Sequence, residues 1–188
     1  MSQILRNQIE KITELTTEEF DYILSHFVAR KFKKHQFVLQ EGENANNDFF
    51  ILNGCLKSYF TDRNGKEHIL QFGMQDWWIT DYQAYYNQTK ATINIDCIED
   101  SEILALSFQN REKLCSEMHK MEHFFRKKTN KRNAALQQRI LSLLSNNAKE
   151  KYDHLLELYP QLFQKVPKRL IASYLGVTRE TLSRLKSS

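Results

Sequence analysis

Glycine divides this chain into two unlike parts. Gly42, Gly54, Gly65 and Gly73 fall within 32 residues, whereas the fifth, Gly176, stands alone near the end. Dense glycine means frequent turns, so the segments between must be short. Those segments, Phe37–Leu39, Asp48–Leu52, Cys55–Phe60 and His68–Phe72, are aromatic and β-branched, and Asn64-Gly65 is a hairpin dipeptide between two of them. Residues 91–97 alternate apolar and polar side chains, the period of a half-buried strand, and Ser101–Ser107 follow an acidic turn. About seven short strands over residues 30–107 predict a β-sandwich or barrel.

Helices are expected on both sides. Thr16-Thr17-Glu18-Glu19 has the capping-box spacing, and Phe20, Ile23, Leu24 and Phe27 form an apolar face behind it. Residues 110–147 contain neither glycine nor proline. Met118, Met121, Phe125, Thr129, Arg132, Leu136, Ile140 and Leu143 follow at steps of three or four, which predicts a helix of about 30 residues, roughly 45 Å. A helix that long in a small protein is not covered by its own chain. Its heptad-like seam reads as a dimerisation helix, with Thr129 and Arg132 as polar positions that fix register; a long core helix is the plainer alternative. A shorter amphipathic helix is expected at about Ala148–Leu158. Pro160 and Pro167, the only prolines, then mark the entry to a last helical unit.

Composition narrows the class. With 41% hydrophobic and 27% charged residues in 188, the chain belongs with folded rather than disordered proteins. No apolar run approaches the roughly 18–20 residues of a membrane helix. The opening residues alternate apolar and charged side chains, unlike a signal peptide, so a cytoplasmic location is expected. Cys55, Cys97 and Cys115 are too scattered for a disulfide framework or a paired-cysteine metal site. His119 and His123 have helical metal spacing, but no third ligand accompanies them and no metal is expected. The charge is uneven. Residues 161–188 hold six Lys or Arg against Glu180 alone, a net +5, so the other 160 residues carry −1 of the chain's +4. A basic end on a neutral body points to a polyanion partner.

Residues 168–188 then read as a helix-turn-helix. Ala172 is small where two helices must cross, and Gly176, four residues on, supplies the left-handed end of the first helix. Leu182 returns to the shared core with Ile171, Leu175, Val177 and Leu185. Thr178 is an N-cap that leaves Arg179 and Glu180 exposed at the start of the second helix, with Arg184 placed on the same face. Recognition helices present such residues to base edges, where Arg reads guanine and Glu accepts from cytosine. An ordinary helical hairpin with a basic surface is the competing reading.

These motifs resemble the Crp/Fnr transcription regulators. Residues 177–185 resemble their recognition helix; Gln40–Glu43, Phe49–Gly54 and Gly65–Glu67 resemble the turns of their cyclic-nucleotide-binding-type roll. The resemblance implies an α+β chain: an N-terminal double-stranded β-helix (jelly roll), a long dimerisation helix, and a C-terminal helix-turn-helix of winged-helix type with its wing shortened or absent. The expected divisions are residues 1–115, 116–147 and 148–188. The resemblance further implies a bacterial homodimer on a palindromic double-stranded DNA site, RNA polymerase as a further partner, no enzymatic activity and no membrane. Arg179, Glu180 and Arg184 would contact bases, and Lys168, Thr178 and Ser183 phosphates. The chain reaches Ser188 just past the recognition helix, which implies fewer DNA backbone contacts.

The sequence departs from relatives that bind cyclic AMP. Those use an Arg-Ser/Thr-Ala segment and a glutamate; here Thr89 and Lys90 precede Ala91, and Ile79, Asp76 or Asp81 falls near the glutamate. Where hydroxyls serve the base, the long helix carries Phe124 and Phe125. Weak or no cyclic AMP binding is expected. Phe72, Trp77, Trp78, Tyr82, Tyr85 and Tyr86 crowd fifteen positions, which reads as a pocket for an apolar or planar effector or as core and dimer packing. The effector-pocket candidates are therefore Phe72, Trp78, Ile79, Tyr82, Thr89, Lys90, Phe124 and Phe125. Two other readings stand: a ligand-binding roll whose C-terminal unit no longer binds DNA, and an enzyme, which lacks any nucleophile–base pair, metal triad or phosphate loop.

Overall fold

The computed structural model describes residues 2–186. Two short helices open it, α1 (Gln3–Glu10) and α2 (Thr17–Leu24). The capping box at Thr16 forms: the Glu19 N–H donates to Thr16 Oγ1 at 3.2 Å, and the Thr16 N–H donates to Glu19 Oε2 at 2.8 Å. Phe27, assigned by spacing to this helix, instead opens strand β1 (Phe27–Phe32). The helix ends at Ser25, and the strand returns Phe27 to the same apolar core that Phe20 and Ile23 occupy.

The strands that follow are β2 (Phe37–Leu39), β3 (Asn47–Asn53), β4 (Cys55–Thr61), β5 (Glu67–Met74) and β6 (Trp78–Ile79); after helix α3 (Tyr82–Asn87) come β7 (Asn94–Cys97) and β8 (Ser101–Ser107). Among the described residues they pair antiparallel in two four-stranded sheets, ordered β1-β8-β3-β6 and β2-β7-β4-β5. The fold is α+β with a jelly roll, as the strand spacing and the resemblance imply. Gly54 makes the corner from β3 to β4 at φ +111°; a Cβ there would lie 2.7 Å from the Ser101 Cα.

Strand periodicity sorts side chains between cores. In β3 and β8, Phe49, Ile51, Ile103 and Ala105 point between the sheets, while Phe50, Leu52, Leu104 and Leu106 point outward onto the helices. Both faces are therefore buried, which is why these strands read as nearly continuous apolar runs.

Helix α4 (Phe108–Glu117) precedes α5 (His119–Ser145). The long helix expected at 116–147 is α5, and a separate short helix, α4, precedes it, the two divided at Met118, whose backbone is extended (φ −128°, ψ 102°). That kink turns α5 along the roll. Its 27 residues span about 40 Å. The seam then divides by environment: Met121 and Phe125 are buried against the roll, while Leu136, Ile140 and Leu143 are exposed. Helix α6 (Ala148–Leu158) begins at a second capping box, Asn147 with Glu150. It leads to α7 (Leu162–Lys165), α8 (Lys168–Leu175) and α9 (Arg179–Lys186). A third core joins the roll to this helical unit, with Tyr59, Ile69, Phe72 and Met74 on one side and Leu155, Leu170, Ile171 and Leu175 on the other. The question of a wing beyond α9 falls on Ser187 and Ser188, outside the described residues.

Candidate nucleic-acid interface and effector cavity

The turn between α8 and α9 is built from backbone bonds that Gly176 makes possible. At φ +71° it lets its own N–H reach the Ser173 carbonyl (3.2 Å) and the Val177 N–H reach the Ala172 carbonyl (3.0 Å), a Schellman ending. Thr178 then caps α9, accepting from the Thr181 N–H at 3.2 Å. Ala172 and Leu182 are buried together with Ile171 and Leu175 in the third core. This core fixes the angle between the two helices. Val177 and Leu185 pack against it only partly buried.

Lys168, Thr178, Arg179, Glu180, Ser183 and Arg184 are all exposed. One correction concerns their arrangement. A step of five residues turns a helix by about 140°, so Arg184 shares its face with Glu180, four residues earlier, and not with Arg179. Glu180 is flanked by the two arginines. Its own backbone N–H and the Thr178 hydroxyl, helped by Arg179 and Arg184, hold its carboxyl below the usual range. It remains an acceptor at neutral pH.

The helical unit is clasped to the roll and to α5. Ser173 Oγ donates to the Glu67 carbonyl at 2.9 Å and accepts from the Ile69 N–H at 3.4 Å. Arg139 of α5 donates to the carbonyls of Ile69 and Tyr174, each at 3.3 Å, with its guanidinium 3.5 Å from the centre of the Tyr174 ring. Burial lowers this guanidinium to about 10, which leaves it charged at neutral pH. Lys165 pairs with Glu99 across the same junction. Sequence reading missed this clasp, because neither the spacing nor the type of Arg139 distinguishes it from a solvated helix arginine.

Two cavities flank α5. One, of about 590 Å³, opens where the roll, α5, α6 and α8 meet, beside Arg139, Leu136, Leu155 and Tyr174. The other, of about 720 Å³, lies between α1, the roll and α5. Of the effector candidates, Trp78, Tyr82 and Phe125 line this second cavity. Phe72 is buried in the third core against Tyr174, Phe124 in the helix-side core, and Ile79 between the sheets. Thr89 and Lys90 are exposed. The eight candidates therefore do not share one pocket.

The second cavity holds a buried polar cluster that aromatic spacing did not disclose. Arg111 lies 3.4 Å from the Asp48 carboxylate and 4.1 Å from the centre of the Phe125 ring. The Tyr82 hydroxyl donates to Asp48 at 3.3 Å, and the Arg132 guanidinium sits 3.2 Å from the centre of the Tyr82 ring. Burial pushes Asp48 up to about 6, against the pull of Arg111 and Arg132. The Trp78 indole donates to Gln8 at 2.6 Å, and Gln8 in turn donates to Asp76 at 2.6 Å, so α1 latches the loop that enters β6.

Residues 29–118 match the model of the cyclic nucleotide-binding domain. Over 175 residues the chain is 26% identical to the regulatory protein HlyX of Actinobacillus pleuropneumoniae, covering 86% of this chain and 72% of that one. In three dimensions it superposes on FixK2 from Bradyrhizobium japonicum with a TM-score of 0.74 at 20% identity, covering 86% of this chain and 83% of that one. The chain shares the fold of that protein, and its residues 29–118 are the part that matches the cyclic nucleotide-binding domain. It also superposes on the catabolite activator protein of Thermus thermophilus with a TM-score of 0.58 at 19% identity, over 96% and 85% of the two chains.

A roll that matches the cyclic nucleotide-binding domain invites comparison with a cyclic-nucleotide site, and the residues at the compared positions are engaged as follows. Ala91 is buried, its backbone bonded to Gly42 and Glu43, but Thr89 and Lys90 before it are exposed, and Lys90 bridges to Asn44. Ile79 fills the space between the sheets with Ile51, Leu56, Ile95 and Ile103, all fully buried. The Asp81 carboxylate caps α3 through the Ala84 N–H and accepts from both the N–H and hydroxyl of Thr92. The Asp76 carboxylate accepts from Gln8. None of the three glutamate positions presents a free carboxylate to a ribose.

Proposed function

We propose that this chain is a dimeric, sequence-specific DNA-binding transcription regulator of the Crp/Fnr type whose effector is not a cyclic nucleotide. One observation carries the reading: α9 is capped and locked to α8 with Arg179 and Glu180 exposed in its first turn and Arg184 exposed one turn on from Glu180. Arg179, Glu180 and Arg184 contact base edges, while Lys168, Thr178 and Ser183 contact phosphates and set the register. The second subunit docks along α5. Leu136, Ile140, Leu143 and Leu144 leave an apolar stripe there, Leu144 being 80% exposed. Pairing α5 with its copy covers the stripe and sets two recognition helices on one face of a duplex.

Regulation follows from placement. A ligand held between the roll and α5 shifts the population of α5 positions, and Arg139 passes that shift to α8. Selection of bound duplexes from a randomised pool tests the reading. Enrichment of an inverted repeat with half-sites about one turn apart supports it. Recovery of no enriched sequence overturns it.

A further inference from the structure

The cavity between α1, the roll and α5 carries more positive charge than its own carboxylates balance. Lys11, Arg111, Lys127, Lys128, Lys131 and Arg132 line it, against Asp48 and Asp76. Residues 1–160 as a whole carry a net charge of −1, so this concentration is local. Two of the cations are neutralised: Arg111 pairs with Asp48, and Lys11 lies 3.5 Å from Asp76. Lys127, Lys128, Lys131 and Arg132 form no ion pair among the described residues. Lys128 is half-buried, and desolvation lowers its ammonium. Like charges gathered at a desolvated site repel one another, and an anion relieves that repulsion. The walls supply flat apolar surface, with Trp78 and Phe125 in edge contact, ring centres 5.8 Å apart, and Tyr86 beside Arg111.

We infer that this cavity takes a small ligand with a flat apolar body and one anionic group, carboxylate or phosphate. The anion meets Lys128 and Arg132, and the body lies against Trp78 and Phe125. The inference rests on the effector-responsive reading above and gives it a ligand class. Arg132 and Arg139 stand seven residues apart on α5, about 10 Å along its axis. A ligand that draws Arg132 from the Tyr82 ring therefore acts on the helix that carries the clasp.

Calorimetric titration of the full-length protein tests this, using naphthalene-2-carboxylate, 2-naphthyl phosphate and the neutral naphthalene-2-carboxamide. At least one anion is expected to bind about tenfold tighter than the amide, the size of a charge-assisted contact. A Lys128→Gln/Arg132→Gln double variant should lose that advantage. Arg132→Lys, which keeps the charge, should retain most of it and shows that the site still folds. Equal binding of anions and amide, binding of neither, or an anion advantage unchanged in the double variant overturns the inference. DNA binding of the same preparation, measured without any naphthyl compound, separates the two readings. DNA binding without anion preference overturns the ligand class alone, whereas anion preference without DNA binding supports the ligand class and overturns the regulator.

Discussion

The Arg139 guanidinium lies 3.5 Å from the centre of the Tyr174 ring and donates both to the Tyr174 carbonyl and, across the domain junction, to the Ile69 carbonyl. One side chain of the long helix thus touches β5 of the roll and α8 of the helix-turn-helix. Arg139→Ala removes both hydrogen bonds and the ring contact, and should loosen the docking by about 1–3 kcal/mol. Amide hydrogen exchange checks it. Faster exchange is expected in β5 and α8, with β3 and β8 unchanged; uniform acceleration would contradict a local clasp.

Two glycines separate backbone strain from steric strain. At Gly176 an added Cβ meets nothing within 4 Å, so Gly176→Ala should cost only the left-handed conformation, about 1 kcal/mol. At Gly54 the same atom collides with Ser101, and Gly54→Ala should cost at least about 3 kcal/mol, because backbone as well as side chain must move. Thermal unfolding of both variants gives the comparison; equal costs would refute the distinction.

Asp48 supplies a pH dependence with a definite sign. Its pKa rises from 3.8 unfolded to about 6 in the buried cluster, so the folded state holds its proton more tightly. Its contribution to stability is full below pH 3.8 and is lost as the pH rises through about 6. Denaturation of the native protein and of Asp48→Asn at several pH values isolates this term. The native protein should gain on the variant, by at most about 3 kcal/mol, as the pH falls from 7 to 4. A constant difference would contradict the assignment.

Much of this architecture was legible in the residues, and the exceptions share a cause. Gly42 to Gly73 located β2 to β5, and the Ala172, Gly176 and Leu182 spacing located the helix-turn-helix, because turns and close helix crossings demand particular residue types. Strand β1 escaped notice because it is an edge strand whose middle residues, Val28 to Lys31, are exposed and carry no alternation. Helix α4, ahead of the long helix, escaped notice because no glycine or proline marks its division from α5 at Met118; packing of α4 and α5 against the roll imposes that division. The cavity cluster was harder still. Asp48, Arg111 and Arg132 come from β3, α4 and α5, and nothing local marks them as neighbours. Tertiary placement alone makes Arg132 a cavity residue; along the chain it is one polar position in an apolar seam.

The two classes of proposed DNA contact should respond differently to substitution. Arg179→Ala should cost about 1–3 kcal/mol on a selected duplex and relax preference at one base pair. Lys168→Ala should weaken all duplexes alike and reduce the slope of log affinity against log salt by about one. Fluorescence anisotropy on the selected duplex and single-base variants distinguishes them. A sequence-independent loss for Arg179→Ala would remove it from the base contacts.

In the proposed dimer two recognition helices, held apart by paired α5 helices, read one face of a duplex. Inserting about five base pairs between the selected half-sites turns one of them to the opposite face. The affinity of the full-length protein for this duplex, measured beside the original, should fall at least about a hundredfold, to the level of a single half-site. Equal affinity for the two spacings would contradict the dimeric reading.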